Sequence, residues 1–196
     1  MKNNKTGVIN ILGAVGFLSA LSTVLIFVGF PLFPMASNLE LDFSDVPALI
    51  AGVGISPVAG VTVILIKNVL NIVMGGGAHM FWGAFQNAIC GLALVFPLSV
   101  LAKKVKNNGE VLQKLPSCMV IASLTQMVVA VLTNIIVVNN VSKYVEYFYD
   151  VSAAEYVFMV VVFNAVKNVM VCLAFYLVYR YIYPGSKKML KADAKK

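Results

Sequence analysis

The sequence predicts an all-α integral membrane protein of six transmembrane helices, with the N- and C-termini both cytoplasmic. Three observations predict it. Of the 196 residues, 60% are apolar and 12% charged, with a mean hydropathy of +0.89; a soluble domain has shares near about half and about a quarter. The apolar runs are about 20 residues long and do not alternate in polarity, so helices, not barrel strands, must satisfy the backbone in lipid. The basic residues gather in three places: Lys2 and Lys5; Lys103, Lys104, Lys106 and Lys114; and Arg180 through Lys187, Lys188, Lys191, Lys195 and Lys196. Only an even number of spans puts all three clusters on the cytoplasmic side, as the positive-inside rule requires.

The first span is Val8–Phe30. Lys2, Lys5 and the small pair Ser19-Ala20 give it the look of a signal peptide, but hydrophobicity runs on through Leu25, Phe27 and Phe30 to Phe33, too long for a cleaved segment. Within it Gly16 and Ala20 form a small-xxx-small pair, with Gly13 a turn earlier, a face that admits close approach by a helix of this chain or of a partner. The connector that follows, Leu39-Glu40-Leu41-Asp42-Phe43-Ser44-Asp45-Val46-Pro47, is acidic, and Ser44 or Asp45 is placed to cap the next helix with Pro47 in its first turn.

Gly52, Gly54, Ser56 and Pro57 then interrupt a long apolar stretch. A single kinked helix there would strand the Lys103–Lys114 connector and the basic tail outside, so the stretch divides into Val46–Gly54 and Pro57–Met74. Broken helices at membrane depth are tolerated where they line protein or a cavity. The remaining spans are Met80–Ala102, Pro116–Val138 and Val157–Tyr183, and residues 1–196 form one membrane domain. The outer connectors carry Glu40, Asp42, Asp45, Glu146, Asp150 and Glu155 against Lys143. The net charge of +7 is thus a topology signal and a contact with anionic lipid, with no nucleic-acid partner implied.

Two lysines fall inside spans, and each costs about 2.5–3.5 kcal/mol to insert, which makes them functional candidates. Lys67 is about two turns from the outer end of its helix, where packing or snorkelling is the preferred reading. Lys167 lies about ten residues, or roughly 15 Å, below the outer end of the last span, too deep for escape, and is read as facing a ligand or a polar network. Asn164, Lys167, Asn168 and Val171 share one helix face by their spacing, and Asn134 lies deep in the fifth span. For Asn68 and Asn87 interhelical hydrogen bonding is the preferred reading; for Asn134 and Asn164 it stands beside a ligand role.

Several activities lack their motifs. There is no GxxxxGK[ST] phosphate loop, so the chain does not itself drive transport with ATP. His79, the single histidine, follows Gly75-Gly76-Gly77 and reads as an outer-connector residue, without HExxH, CxxC or a nucleophile elbow. Cys90, Cys118 and Cys172 lie in apolar runs and read as packing residues. No catalytic residue, metal site or cofactor is expected, with the lone carboxylates Asp42 and Asp45 the remaining candidates for catalysis.

Taken together, the connector motif Leu39-x-Leu41-Asp42-Phe43-Ser44-Asp45-Val46-Pro47-Ala48-Leu49, Gly60 with Lys67-Asn68, and Phe163-Asn164-x-x-Lys167 resemble the riboflavin-specific substrate-binding (S) components of energy-coupling factor (ECF) vitamin transporters. The resemblance covers essentially the whole chain. It implies a ligand bound near the outer face, with main-chain groups around Leu39 and Leu41 covering the flavin and with Asn134, Asn164 and Lys167 on its polar edge or ribityl chain. It further implies that Gly16 and Ala20 contact a transmembrane coupling (T) subunit, and that two ATPase subunits supply the energy in a bacterial plasma membrane. Val162 and Asn168 depart from the family's usual proline and glycine, and Gly16 from its usual alanine. Riboflavin, uncharged with an apolar tricycle and a uracil-like edge, suits an apolar cleft with amides and one ammonium. The alternatives are an S component for another vitamin, such as thiamine, and a self-contained secondary carrier that uses Lys67 or Lys167.

Overall fold

The computed structural model describes residues 2–75, 78–107, 111–149 and 152–193. Its elements are α1 (Lys2–Ile26), β1 (Phe30–Phe33), β2 (Ala36–Leu41), α2 (Asp45–Gly54), α3 (Pro57–Gly75), α4 (Ala78–Asn107), α5 (Val111–Tyr149) and α6 (Ala153–Asp193). All six expected helices are present among the described residues. Five contain stretches long and apolar enough to cross a membrane: Gly7–Ile26, Pro57–Gly75, Gly83–Val105, Val111–Ile136 and Ala154–Tyr181.

The sixth, α2, is a correction to the expected second span. Its 10 residues rise about 15 Å, half of a hydrocarbon core of about 30 Å. The chain breaks where Gly54-Ile55-Ser56-Pro57 cannot continue a helix: the amides of Ile55 and Ser56 both bond back to the Ala51 carbonyl, and Ser56 Oγ accepts the Ala59 amide to start α3. A half-length helix survives here because protein, not lipid, surrounds it. Val46, Ala48, Leu49, Ala51 and Val53 are all buried, and α2 packs on α1, α3, α4 and α6. Gly60 lets α3 lie against it, since a Cβ there would stand 2.8 Å from Gly52 Cα and 2.9 Å from the Ala48 carbonyl oxygen.

The purely helical expectation is corrected by a hairpin. Residues expected to finish the first span leave α1 at Ile26, and β1 pairs antiparallel with β2, Phe30 opposite Leu41 and Phe33 opposite Ala36, with an irregularity between Pro31 and Phe33. Gly29, Pro31 and Pro34 cannot prolong a helix, and edge pairing satisfies the backbone instead. Leu39 and Leu41, two apart on β2, turn inward with Ala36 onto Tyr156, Val160 and Phe163 of α6.

Other boundaries move outward. Ser152 and Glu155 form a reciprocal capping box, in which Glu155 Oε2 accepts from the Ser152 amide (2.9 Å) and Ser152 Oγ accepts from the Glu155 amide (3.3 Å), so α6 begins at Ala153 instead of Val157. His79 falls in the first turn of α4, not in a connector; its side chain and that of Trp82 lie outside the described residues.

Beneath the hairpin cluster lies the larger core, built from Leu49 of α2, Ile64 of α3, Leu98 of α4, Leu115 of α5 and Phe175 of α6. The outer faces are apolar instead of polar: Leu12 and Phe17, Val69 and Val73, Leu124 and Leu132, Val169 and Leu173 all stand exposed. An apolar exterior on every long helix is what a lipid-solvated bundle presents. The chain is a multi-pass membrane protein.

Candidate binding cavity

Between the two apolar clusters, at the hairpin end of the bundle, is a cavity of about 410 Å³. All six helices and β2 contribute to its wall. Ile26 and Phe27 come from the end of α1, Leu39 and Glu40 from β2, and Asp42 and Asp45 from the connector and first residue of α2. Asn71 comes from late α3, Gln86, Asn87 and Cys90 from early α4, Gln126 and Asn134 from α5, and Asn164, Lys167 and Asn168 from α6. The basic residues Lys103 and Lys104 of α4 and Arg180 of α6 belong to the opposite ends of the same helices.

The connector Asp42-Phe43-Ser44-Asp45 is held in place by a buried chain of charge. Lys167 Nζ donates to Asp42 Oδ2 at 2.8 Å. Asp42 Oδ1 accepts the Ser44 amide at 2.7 Å, and Ser44 Oγ accepts from Lys67 Nζ at 2.7 Å. Lys67 Nζ also donates to Asp45 Oδ1 at 2.5 Å, and Ser22 Oγ of α1 donates to the Ser44 carbonyl. Two ammoniums and two carboxylates thus cancel, and α1, α3 and α6 are all tied to one four-residue connector.

Asp42 and Asp45, counted among the acidic residues of the outer connectors, are therefore not solvated charges. Both are buried, as are Lys67 and Lys167, because a lysine held in an apolar bundle needs a counter-charge and the connector provides one for each. Ser44 is the residue before α2, yet its side chain makes no cap to the helix and serves Lys67 instead. Burial opposes ionisation of Asp42, but the charges of Lys167 and Lys67 and the hydrogen bonds from Lys167 and Ser44 outweigh it and hold the carboxyl down at about 2. Glu40 goes the other way: partial burial and the adjacent Asp42 charge raise its pKa, and Lys167 only partly offsets them.

The amides are ordered by one another. Gln126 Nε2 donates to Asn164 Oδ1 (2.6 Å), while Gln126 Oε1 accepts from Asn168 Nδ2 (2.7 Å), so Gln126 bridges two successive turns of α6. Asn164 Nδ2 donates to the Val160 carbonyl and Asn134 Nδ2 to that of Ala130, both at 2.8 Å. Among the described residues, two polar atoms on the cavity wall are buried without a partner, the acceptor Asn134 Oδ1 and the donor Gln86 Nε2. Lys167 reaches Asn87 Oδ1 only at 3.5 Å, which leaves it donor capacity toward the cavity.

Leu39, Asn134, Asn164 and Lys167 therefore all line the cavity, and Leu41 does not: it packs beside Tyr156 and Phe163 under the hairpin. Asn87, expected to be a packing amide, is on the wall, whereas Asn68 bonds to the Ile64 carbonyl away from it. Asp42, Asn71, Gln86 and Gln126 went unrecognised as lining residues. Gln126 had the same signal as Asn134, an amide inside an apolar run two turns earlier on the same helix, and Asn71 follows Lys67 by four residues. Gly16 and Ala20 are on the exposed side of α1, and a Cβ at Gly16 would meet nothing within 4 Å.

A lipid-facing exterior around a polar, charge-compensated cavity beneath a hairpin defines a membrane-embedded subunit that binds a small molecule. The chain belongs to the family of substrate-specific components of ECF transporters, whose model matches residues 11–179. It is 30% identical over 169 residues to the riboflavin transporter RibU of Staphylococcus aureus, an alignment covering 85% of this chain and 86% of that one. Against RibU of Streptococcus thermophilus the identity is 31% over 174 residues, with 86% and 80% covered. The riboflavin transporter FmnP of Bacillus subtilis is 39% identical over 94 residues, about half of either chain at 47% and 50%. The fold is similar to the solved S component of a bacterial ECF transporter, with a TM-score of 0.74 and 29% identity over 91% of this chain and 98% of that one.

Proposed function

We propose that this chain captures riboflavin in the hairpin-end cavity and passes it to the cytoplasm as part of an ATP-driven ECF importer. The observation that carries the ligand class is the cavity wall: an unpaired acceptor on Asn134, an unpaired donor on Gln86 and spare donor capacity on Lys167, set among Leu39, Val160 and Phe163. The uracil-like edge of a flavin presents donors and acceptors in alternation, and its tricycle matches the apolar part. A volume of about 410 Å³ falls within the roughly 300–1,000 Å³ of small-molecule sites. Similarity to three riboflavin transporters points the same way.

Orientation follows from charge. Placing the Lys103–Lys114 end of the bundle and both termini in the cytoplasm puts the hairpin and cavity at the outer face, with the half-length α2 serving as the inward pass between α1 and α3. Gly16 and Ala20 then form the contact with a T subunit, two ATPases supply the energy, and anionic lipid meets the basic end. Both intramembrane lysines are already ion-paired, which weighs against a secondary carrier that uses either for ion coupling.

The test is titration of the purified, ligand-free chain with riboflavin, followed by flavin fluorescence. Stoichiometric quenching that thiamine does not compete supports the assignment; a refolded, monodisperse chain that ignores riboflavin rejects it. Lys167→Ala is expected to weaken binding by about 1.5–3 kcal/mol, the worth of a hydrogen bond to a charged group, and an unchanged affinity removes Lys167 from the site.

A further inference from the structure

Asp42 borders the cavity and holds the one ammonium among the described residues that lines it. Both carboxylate oxygens are used, Oδ2 by Lys167 and Oδ1 by the Ser44 amide. Lys67 is no substitute for Lys167, because its ammonium is fully buried against Ser44 and Asp45 and does not reach the wall. Among the described residues, the charged side chains lining the cavity are therefore Glu40, Asp42, Asp45 and Lys167, with Asp45 answered by Lys67 from behind. Lys167 is presented to a ligand as half of a neutral pair, not as a free cation.

We infer that Asp42 is a specificity-determining residue that neutralises and positions Lys167, so that the cavity favours uncharged flavin over the same flavin carrying an anionic phosphate. The inference rests on the riboflavin reading above. A neutral pair still donates a directed hydrogen bond to a carbonyl oxygen, but it supplies little net attraction to an anion, and Glu40 at the cavity edge adds repulsion. In a wall of low dielectric, a unit of uncompensated charge acts on a ligand much more strongly than it would in water. The two single neutralisations must then act in opposite directions on charge selectivity, which no purely structural role of the pair would produce.

The experiment compares riboflavin with riboflavin 5′-phosphate on the purified full-length chain, and reads the ratio of their two dissociation constants. Asp42→Asn leaves Lys167 unanswered and is expected to shift the ratio toward the phosphate by about tenfold or more, whereas Asp42→Glu keeps the wild-type ratio. Lys167→Gln leaves Asp42 unanswered and shifts the ratio away from the phosphate by a similar factor. The double variant Asp42→Asn/Lys167→Gln, neutral again, returns close to the wild-type ratio, and it and Lys167→Gln keep the test decisive where Asp42→Asn alone does not fold. Equal weakening of both ligands in the single variants, with the ratio unmoved, overturns the inference and leaves the riboflavin reading intact. A wild-type chain that binds neither flavin removes both.

Discussion

At the scale of single residues, the balance of buried charge around the connector bears on stability and, under the inference above, on ligand chemistry. Lys67 is completely buried, and its removal strands Asp45 in an apolar bundle. Lys67→Met is expected to destabilise the fold by about 3–5 kcal/mol, the usual cost of breaking one side of a buried pair. Adding Asp45→Asn should recover much of that loss, and thermal unfolding in detergent measures both. The pH response has a definite sign. Asp42 is depressed from 3.8 to about 2, so its pair with Lys167 contributes stability that is fully present above about pH 4 and is lost as pH falls from there through about 2. Melting temperature should therefore show no dependence from this pair between about pH 5 and 8, and Asp42→Asn should abolish the acid-side loss that it causes.

Among elements, α2 and the hairpin are the parts that depart from a simple bundle, and both exist to enclose the cavity. The short helix is viable because α1, α3, α4 and α6 bury it, and because glycine permits the contact with α3. A Cβ added at Gly60 would sit 2.7 Å from Val95 Cγ1 and 2.9 Å from the Ala48 carbonyl oxygen. Gly60→Ala is thus expected to cost about 1–3 kcal/mol through overpacking, seen as a lower melting temperature in detergent. No change would mean that α2 and α3 separate easily. The hairpin, by contrast, is held to α6 by Ala36, Leu39 and Leu41, with Leu32 and Phe33 packed beside them, and the Asp42–Asp45 segment ties it to α1 and α3. Its position over the cavity depends on those few side chains.

At the scale of the molecule, the proposed function puts binding and delivery on separate surfaces. The cavity lies at the hairpin end, whereas Gly13, Gly16 and Ala20 are exposed on α1 with open space in front of the two glycines. Replacing Gly16 or Ala20 with Leu is expected to leave riboflavin affinity within about twofold, since neither residue is in the bundle interior, while cellular riboflavin uptake falls steeply through loss of a close helix–helix approach. Flavin titration and uptake assays on the same variants check this. Parallel loss of binding would show instead that the face supports the fold.

The membrane class, all six helices and the candidate lysine Lys167 were legible in the chain because they depend on local quantities. Apolar run length, charge clusters and helix-face spacing are properties of neighbouring residues, and Asn164, Lys167 and Asn168 are brought to one wall by spacing alone. The meaning of Leu39-Glu40-Leu41-Asp42-Phe43-Ser44-Asp45 was not local. Its two aspartates, legible only as acidic residues of a connector, are the counter-charges of lysines on α3 and α6, 22 and 125 positions away. Likewise, Leu39 and Leu41 are indistinguishable as sequence and both pack on α6, yet only Leu39 also lines the cavity. Burial of an ionised group is tolerated only where a partner from elsewhere in the fold meets it, so such pairings come into being with the packing of the helices.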